Sequence, residues 1–237
     1  MTAAMIRLAS ANGSGGFVMR KPKKWPHYLS PDPAHMHATG VMVYCFNSFE
    51  ETIAQITILR TKRSGGAVRR VRRIYHDLSD GAKSEFTKLV FSICESDPIV
   101  RKYAFDLLNY FECCRFVRND IVHSRFDPPL FKNAQKHLYL NKAKSKNASS
   151  IRYSKPTLRT LQNYADKMSI GLARAVSLQM FLLYRDKPAN EIPPLMRQAV
   201  REPWPGIPPP PKRMRKSDHP HTPEMPPHLR RSHSVQD

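Results

Sequence analysis

Near the middle of the chain, residues 111–124 read FECCRFVRNDIVHS, and Arg118, Asn119 and His123 are side chains whose types suit phosphate chemistry. Histidine exchanges a proton near neutral pH, as activation of a ribose 2′-hydroxyl or protonation of a leaving oxygen requires. Arginine holds a non-bridging phosphate oxygen and stabilises the charge that develops on it. Asn119 could donate a hydrogen bond to phosphate or orient His123. With the 2′-hydroxyl as nucleophile, the reaction asks for no metal, no cofactor and no protein nucleophile. This chemistry is coherent with metal-independent cleavage of single-stranded RNA, leaving a 2′,3′-cyclic phosphate and a 5′-hydroxyl. A helical module that binds RNA or protein without cleaving it is the alternative.

The spacing permits a shared site without establishing one. Five residues of ideal helix turn through about 500°, so the Cα directions of Arg118 and His123 differ by about 140°. Asn119 and His123, four apart, share a face. Arg118 meets His123 only through its long side chain or through a bend at the helix end. Helix-terminal Arg, Asn and His also cap carbonyls and form pairs, and spacing alone does not separate those roles from catalysis. His76 and His137 lack a comparable polar cluster. Glu50 and Glu51 could touch the site from a neighbouring helix or be solvated. Cys113 and Cys114 share a helix with a strong apolar stripe, which marks them as core thiols rather than nucleophiles.

The run Arg118-Asn119-Asp120-Ile121-Val122-His123 resembles the RNxxxH form of the motif in HEPN-superfamily domains. Those domains are helical bundles with the motif near the end of a late helix. They include metal-independent endoribonucleases of toxin and phage-defence systems, which usually dimerise to join two motifs in one cleft; other members bind or assemble without demonstrated cleavage. The resemblance covers about residues 40–185. It implies that Arg118 and His123 are catalytic, that Asn119 takes the polar position after the arginine, and that a homodimer, an antitoxin or another protein partner is to be expected.

The elements that must position these residues follow from apolar periodicity. Over 40–60, Met42, Cys45, Phe46, Phe49, Ile53, Ile56 and Leu59 recur mostly at three- and four-residue spacing, which predicts a helix with one broad apolar stripe. A short basic helix is predicted over 68–78. Another spans 80–95, with Phe86, Leu89, Val90 and Ile93 on one side. Asp97 and Pro98 then read as N-cap and first helical residue, opening a helix that Pro128-Pro129 must end. Short runs at 138–140 and 151–153 suggest two arms of a hairpin, with Lys142, Lys144 and Lys146 in its loop. A last helix is predicted from about 156 to 185, where Gly171 could allow close helix contact.

These elements predict an all-α fold, an antiparallel helical bundle over 39–186. It is flanked by a poorly structured basic segment, 1–38, and a disordered proline-rich basic tail, 187–237. Thirteen of the 21 prolines lie after Asp186, and the apolar content there is too low for a second core. Lys and Arg number 39 against 19 acidic residues, and the excess flanks a nearly balanced centre: 124–155 holds eight basic residues against Asp127 alone. A polyanion such as RNA suits that pattern, although charge of this kind also solubilises loops and tails. The longest apolar run, 41–46, is far too short to cross a membrane, and the first residues lack the apolar core of a secretory signal, so no membrane association and a cytoplasmic location are expected. The four cysteines form no CxxC pair or zinc spacing, and read as buried free thiols.

Overall fold

The computed structural model describes residues 32–61, 67–127, 139–143, 151–201, 206–214 and 216. The apolar repeat of the first long segment becomes α1 (Pro33–Thr61), with Met42, Phe46, Phe49, Ile53 and Ile56 turned inward. This helix begins before the expected boundary at residue 39. Asp32 Oδ2 accepts from the Ala34 N–H and from the His35 ring, both at 3.1 Å, so the first turn is satisfied locally and His35 and Ala38 are buried.

The basic segment forms α2 (Ala67–Asp77), followed by α3 (Asp80–Cys94) and α4 (Pro98–Val122). α4 opens as the sequence predicts: Asp97 Oδ1 accepts from Ile99 N at 2.8 Å and Val100 N at 3.4 Å, with Pro98 in the first turn. α5 (Leu158–Tyr184) opens on Thr157, whose Oγ1 accepts from Thr160 N at 3.1 Å. A 3-10 turn (Ala189–Glu191) and α6 (Pro194–Arg201) follow.

The contacts define helix direction. Phe49 of α1 lies against Gly171 of α5, Gln55 bonds Gln179, and Arg60 and Arg185 share the Glu95 carboxylate. The paired positions advance together, so α1 and α5 run in the same direction. α4 runs antiparallel to both: Glu95, just before its start, meets Arg60 and Arg185, whereas Arg118, near its end, lies over Phe46. The core is a continuous cluster drawn mainly from α1, α4 and α5, including Phe46, Phe49, Leu107, Phe111, Cys114 and Met168, and joined by Phe91 and Leu140. Phe111 stacks on Phe46 at 5.2 Å and meets Phe49 edge-on at 5.1 Å.

α3 turns a different face inward from the one its apolar residues predict. Ser84, Thr87, Val90 and Phe91 are buried, while Leu89 and Ile93 are 55% and 74% exposed. The cause is a buried polar contact: the Thr57 and Thr87 hydroxyls lie 2.8 Å apart, so that one donates to the other and the accepting one donates to a carbonyl of its own helix. A satisfied hydroxyl packs in a core at little cost, so counting apolar residues alone selects the wrong face.

The predicted hairpin is present and larger. β1 (Arg125–Asp127), β2 (Tyr139–Ala143) and β3 (Ile151–Ser154) form an antiparallel sheet in that order. Lys142 is paired with Arg152 in the β2–β3 register and so belongs to a strand, contrary to its expected place in the loop. Lys144, Lys146 and His137 lie outside the described residues.

Within the region read as a tail, residues 206–214 lie along the bundle. Ile207 and Met214 pack against the core, and Tyr164 Oη donates to the Lys212 carbonyl at 3.0 Å. Lys167 Nζ donates to the Pro209 and Pro210 carbonyls at 2.9 and 3.3 Å. Proline removes backbone donors but leaves every carbonyl free, and here side chains of α5 meet those carbonyls.

Candidate active site

The end of α4 holds all three residues singled out from the sequence. Ser124 Oγ donates to the Asp120 carbonyl and Ser124 N to the Ile121 carbonyl at 3.2 Å, which closes the helix before β1. His123 is the C-terminal cap, exposed, and its N–H donates to the Asn119 carbonyl at 3.2 Å.

Arg118 and Asn119 are brought together; Arg118 and His123 are not. Arg118 Nη1 donates to Asn119 Oδ1 at 2.8 Å, and the guanidinium lies 5.4 Å from the centre of the Phe46 ring. The helix is regular through Val122, so the divergence of Arg118 from His123 expected on an ideal helix stands, and Arg118 turns towards α1. Its Nε–H is buried with no hydrogen-bond partner among the described residues. A buried donor left unpaired costs free energy, and Arg174 Nε on α5 is in the same position.

A cleft of about 970 Å³ opens at the same end of the bundle, between the first half of α5 and residues 206–214. Lys155, Arg159, Lys167, Lys212 and Arg213 line it against a single carboxylate, Asp166. The Arg213 guanidinium lies 4.0 Å from the centre of the Phe116 ring, and that of Arg115 lies 4.6 Å from the same centre. Two residues beyond the lining residue Met214, Lys216 Nζ sits 2.7 Å from Asp120 Oδ1, inside the RNxxxH run. The basic segment thus leads from the cleft to the end of α4.

The sequence reading missed this cleft. Its signal was the run Lys212-Arg213-Met214-Arg215-Lys216 directly after Pro208–Pro211, which composition assigned to a solvated tail. The other candidates lie elsewhere. Glu50 Oε1 pairs with Lys83 Nζ at 2.7 Å, Glu51 accepts from Gln55 at 3.2 Å, and His76 is exposed on α2. Cys114 is fully buried, its thiol pushed up to about 12 by burial, which suits core packing and not nucleophilic attack. Cys94, by contrast with the buried thiol expected, is exposed. No group of His, Cys, Asp and Glu among the described residues has the arrangement of a metal site, and no helix among them is long and apolar enough to cross a membrane.

Comparisons with protein-family models, with curated proteins and with solved structures find no match to this chain.

Proposed function

We propose that this protein is an endoribonuclease of HEPN-like type, which holds single-stranded RNA in the basic cleft and cleaves it at the end of α4. The observation that carries this reading is the placement of exposed His123 and of Arg118, whose Nε–H has no hydrogen-bond partner among the described residues, at the same end of the bundle as a cleft with five cations and one carboxylate. Arg159, Lys212 and Arg213 take the phosphates entering the cleft. His123 removes the proton of the ribose 2′-hydroxyl; the resulting oxygen attacks the adjacent phosphorus and the 5′-oxygen leaves. Arg118 balances charge on the non-bridging oxygens, with Asn119 holding its guanidinium. One imidazole cannot act at once as base for the 2′-oxygen and acid for the leaving 5′-oxygen without shuttling a proton. A second copy of the chain, its motif across a shared cleft, supplies the other histidine.

The test is cleavage of single-stranded RNA in EDTA by the wild type, H123A and R118A, with light scattering for mass. His123 is exposed, so H123A keeps the wild-type melting temperature while cutting falls by about 10²-fold or more. R118A loses cutting too, and about 1 kcal/mol of stability with its contacts to Phe46 and Asn119. RNA binding without cleavage in the wild type rejects the enzyme and leaves a binding module. Cutting undiminished in both variants rejects the assigned residues.

A further inference from the structure

α2 (Ala67–Asp77) carries four arginines, Arg69, Arg70, Arg72 and Arg73, in 11 residues, and all four are exposed. At about 100° per residue they fall within an arc of about 160°, with exposed His76 and exposed Asp77 inside it. The opposite side is anchored: Tyr75 is buried, with Lys83 Nζ 5.8 Å from its ring centre, and Val68 and Val71 are half-buried.

Among the described residues, none of the four arginines makes a hydrogen bond, an ion pair or a ring contact. Neighbouring helices neutralise their outer charges within themselves: Lys88 with Glu85 at 2.8 Å, Lys102 with Asp106 at 2.7 Å, Arg115 with Glu112 at 2.7 Å. On α2 most of the charged three- and four-spaced neighbours are like charges, Arg69 with Arg72 and Arg73 and Arg70 with Arg73, against one opposite pair, Arg73 with Asp77. The like pairs oppose helix formation. Arg69 and Arg70 also occupy the first turn, where the helix dipole disfavours cations. Solubility needs none of this, since glutamine or alternating charge would serve.

We propose that the arginine face of α2 binds the phosphate backbone of paired RNA, as a contact surface separate from the α4 end. The proposal takes from the preceding reading only that the partner is RNA. Guanidinium groups on a rigid convex face can each fork onto a phosphate. The surface has no platform for unpaired bases, because Tyr75, the one Tyr, Phe or Trp of the helix, is buried. A paired stem, recognised by its backbone and shape, matches such a face. A membrane surface suits it less, because Tyr75 is buried and Val68 and Val71 are half-buried, which leaves Ile74, 46% exposed, as the apolar side chain a helix could sink into lipid.

The experiment measures binding of the full chain to 2′-O-methyl RNA, which lacks the hydroxyl needed for attack, so failure of the cleavage reading does not disturb it. A labelled hairpin stem and an unpaired strand of equal length are titrated by fluorescence anisotropy over a series of salt concentrations. The variant R69Q/R70Q/R72Q/R73Q is expected to lose at least about tenfold in affinity for the stem, to lower the salt slope by about 3, and to bind the unpaired strand as wild type does. The variant with lysine at all four positions keeps most of the slope. Glutamine is a good helix former, so helicity by circular dichroism stays unchanged and verifies folding. Stem binding within twofold of wild type, or equal loss for both RNAs, overturns the proposal. So does a wild-type chain that ignores RNA but binds phosphatidylserine vesicles through these arginines.

Discussion

Lys216 Nζ lies 2.7 Å from Asp120 Oδ1, and this pair ties the far end of the proline-rich segment to the run that carries Arg118, Asn119 and His123. Asp120 is the less exposed partner and has further contacts, so the two ends of the pair are not equivalent.

Removing Lys216 alone should therefore cost little. K216A is expected to lose at most about 1 kcal/mol in urea denaturation, as partly solvated pairs do. Deleting everything after Arg201 also strips Ile207 and Met214 from the core and leaves Tyr164 and Lys167 without their carbonyl partners. That truncation should cost about 3 kcal/mol. A truncated chain as stable as the full one would show that residues 206–216 do not belong to the fold.

At Gly171, α5 comes close to both α1 and α4. A Cβ there would come within 2.6 Å of the Phe49 ring and 2.9 Å of the Tyr110 ring. Alanine normally favours a helix over glycine by up to about 1 kcal/mol. Here overpacking outweighs that gain, and G171A should be net destabilised by about 1–2 kcal/mol in denaturant titration. A stabilised G171A would mean that the three helices can move apart freely.

Glu95 joins the ends of three helices. Its side chain is 1% exposed, and its Oε2 lies 3.2 Å from Arg60 Nη2 and 2.9 Å from Arg185 Nη1. Its Oε1 accepts from Asp97 N at 3.1 Å, beside the cap of α4. E95A removes the buried carboxylate that Arg60 and Arg185 share, and a loss of about 3–5 kcal/mol is expected by calorimetry or denaturant. Since the triad is at the opposite end from His123, any surviving folded fraction should keep its RNA affinity.

Burial raises Cys114, Tyr75 and Tyr110. Between the ordinary thiol value of 9.0 and about 12, the unfolded chain gives up a Cys114 proton that the folded chain keeps. The unfolded state then binds fewer protons, so stability is full below the ordinary value and falls as pH rises through this window. The two tyrosines act in the same direction at higher pH. Thermal melts followed by circular dichroism should show a steep decline from about pH 9 upward, made shallower in C114A. A melting temperature flat to about pH 11 would contradict the burial of these groups.

Much of the helical frame was written in local sequence. Asp97-Pro98 starts α4 because a carboxylate meets two free N–H groups within its own turn, a matter of neighbours only. The stripe of α1 from Met42 to Ile56 and that of α4 from Val100 to Ile121 face inward as their spacing requires, whereas Val122, the last apolar residue of α4, is exposed. The presence of Arg118, Asn119 and His123 at the end of one helix was legible for the same reason. The rest depended on contacts between residues far apart in the chain. The buried face of α3 was set by Thr57 and Thr87 meeting across 30 positions, which no count of apolar residues registers. That α1 and α5 run parallel is decided by which side chains interlock, Phe49 against Gly171 and Glu95 between two arginines. The basic cleft exists only because proline carbonyls, lacking partners of their own along the chain, accept from Lys167 while the Lys212 carbonyl accepts from Tyr164. Sequence by itself determined where helices start, which residues each can bury and which side chains could do chemistry. Tertiary structure decided which of them meet, because a hydrogen bond or a packed ring depends on distance in space, and spacing along the chain encodes distance only within an element.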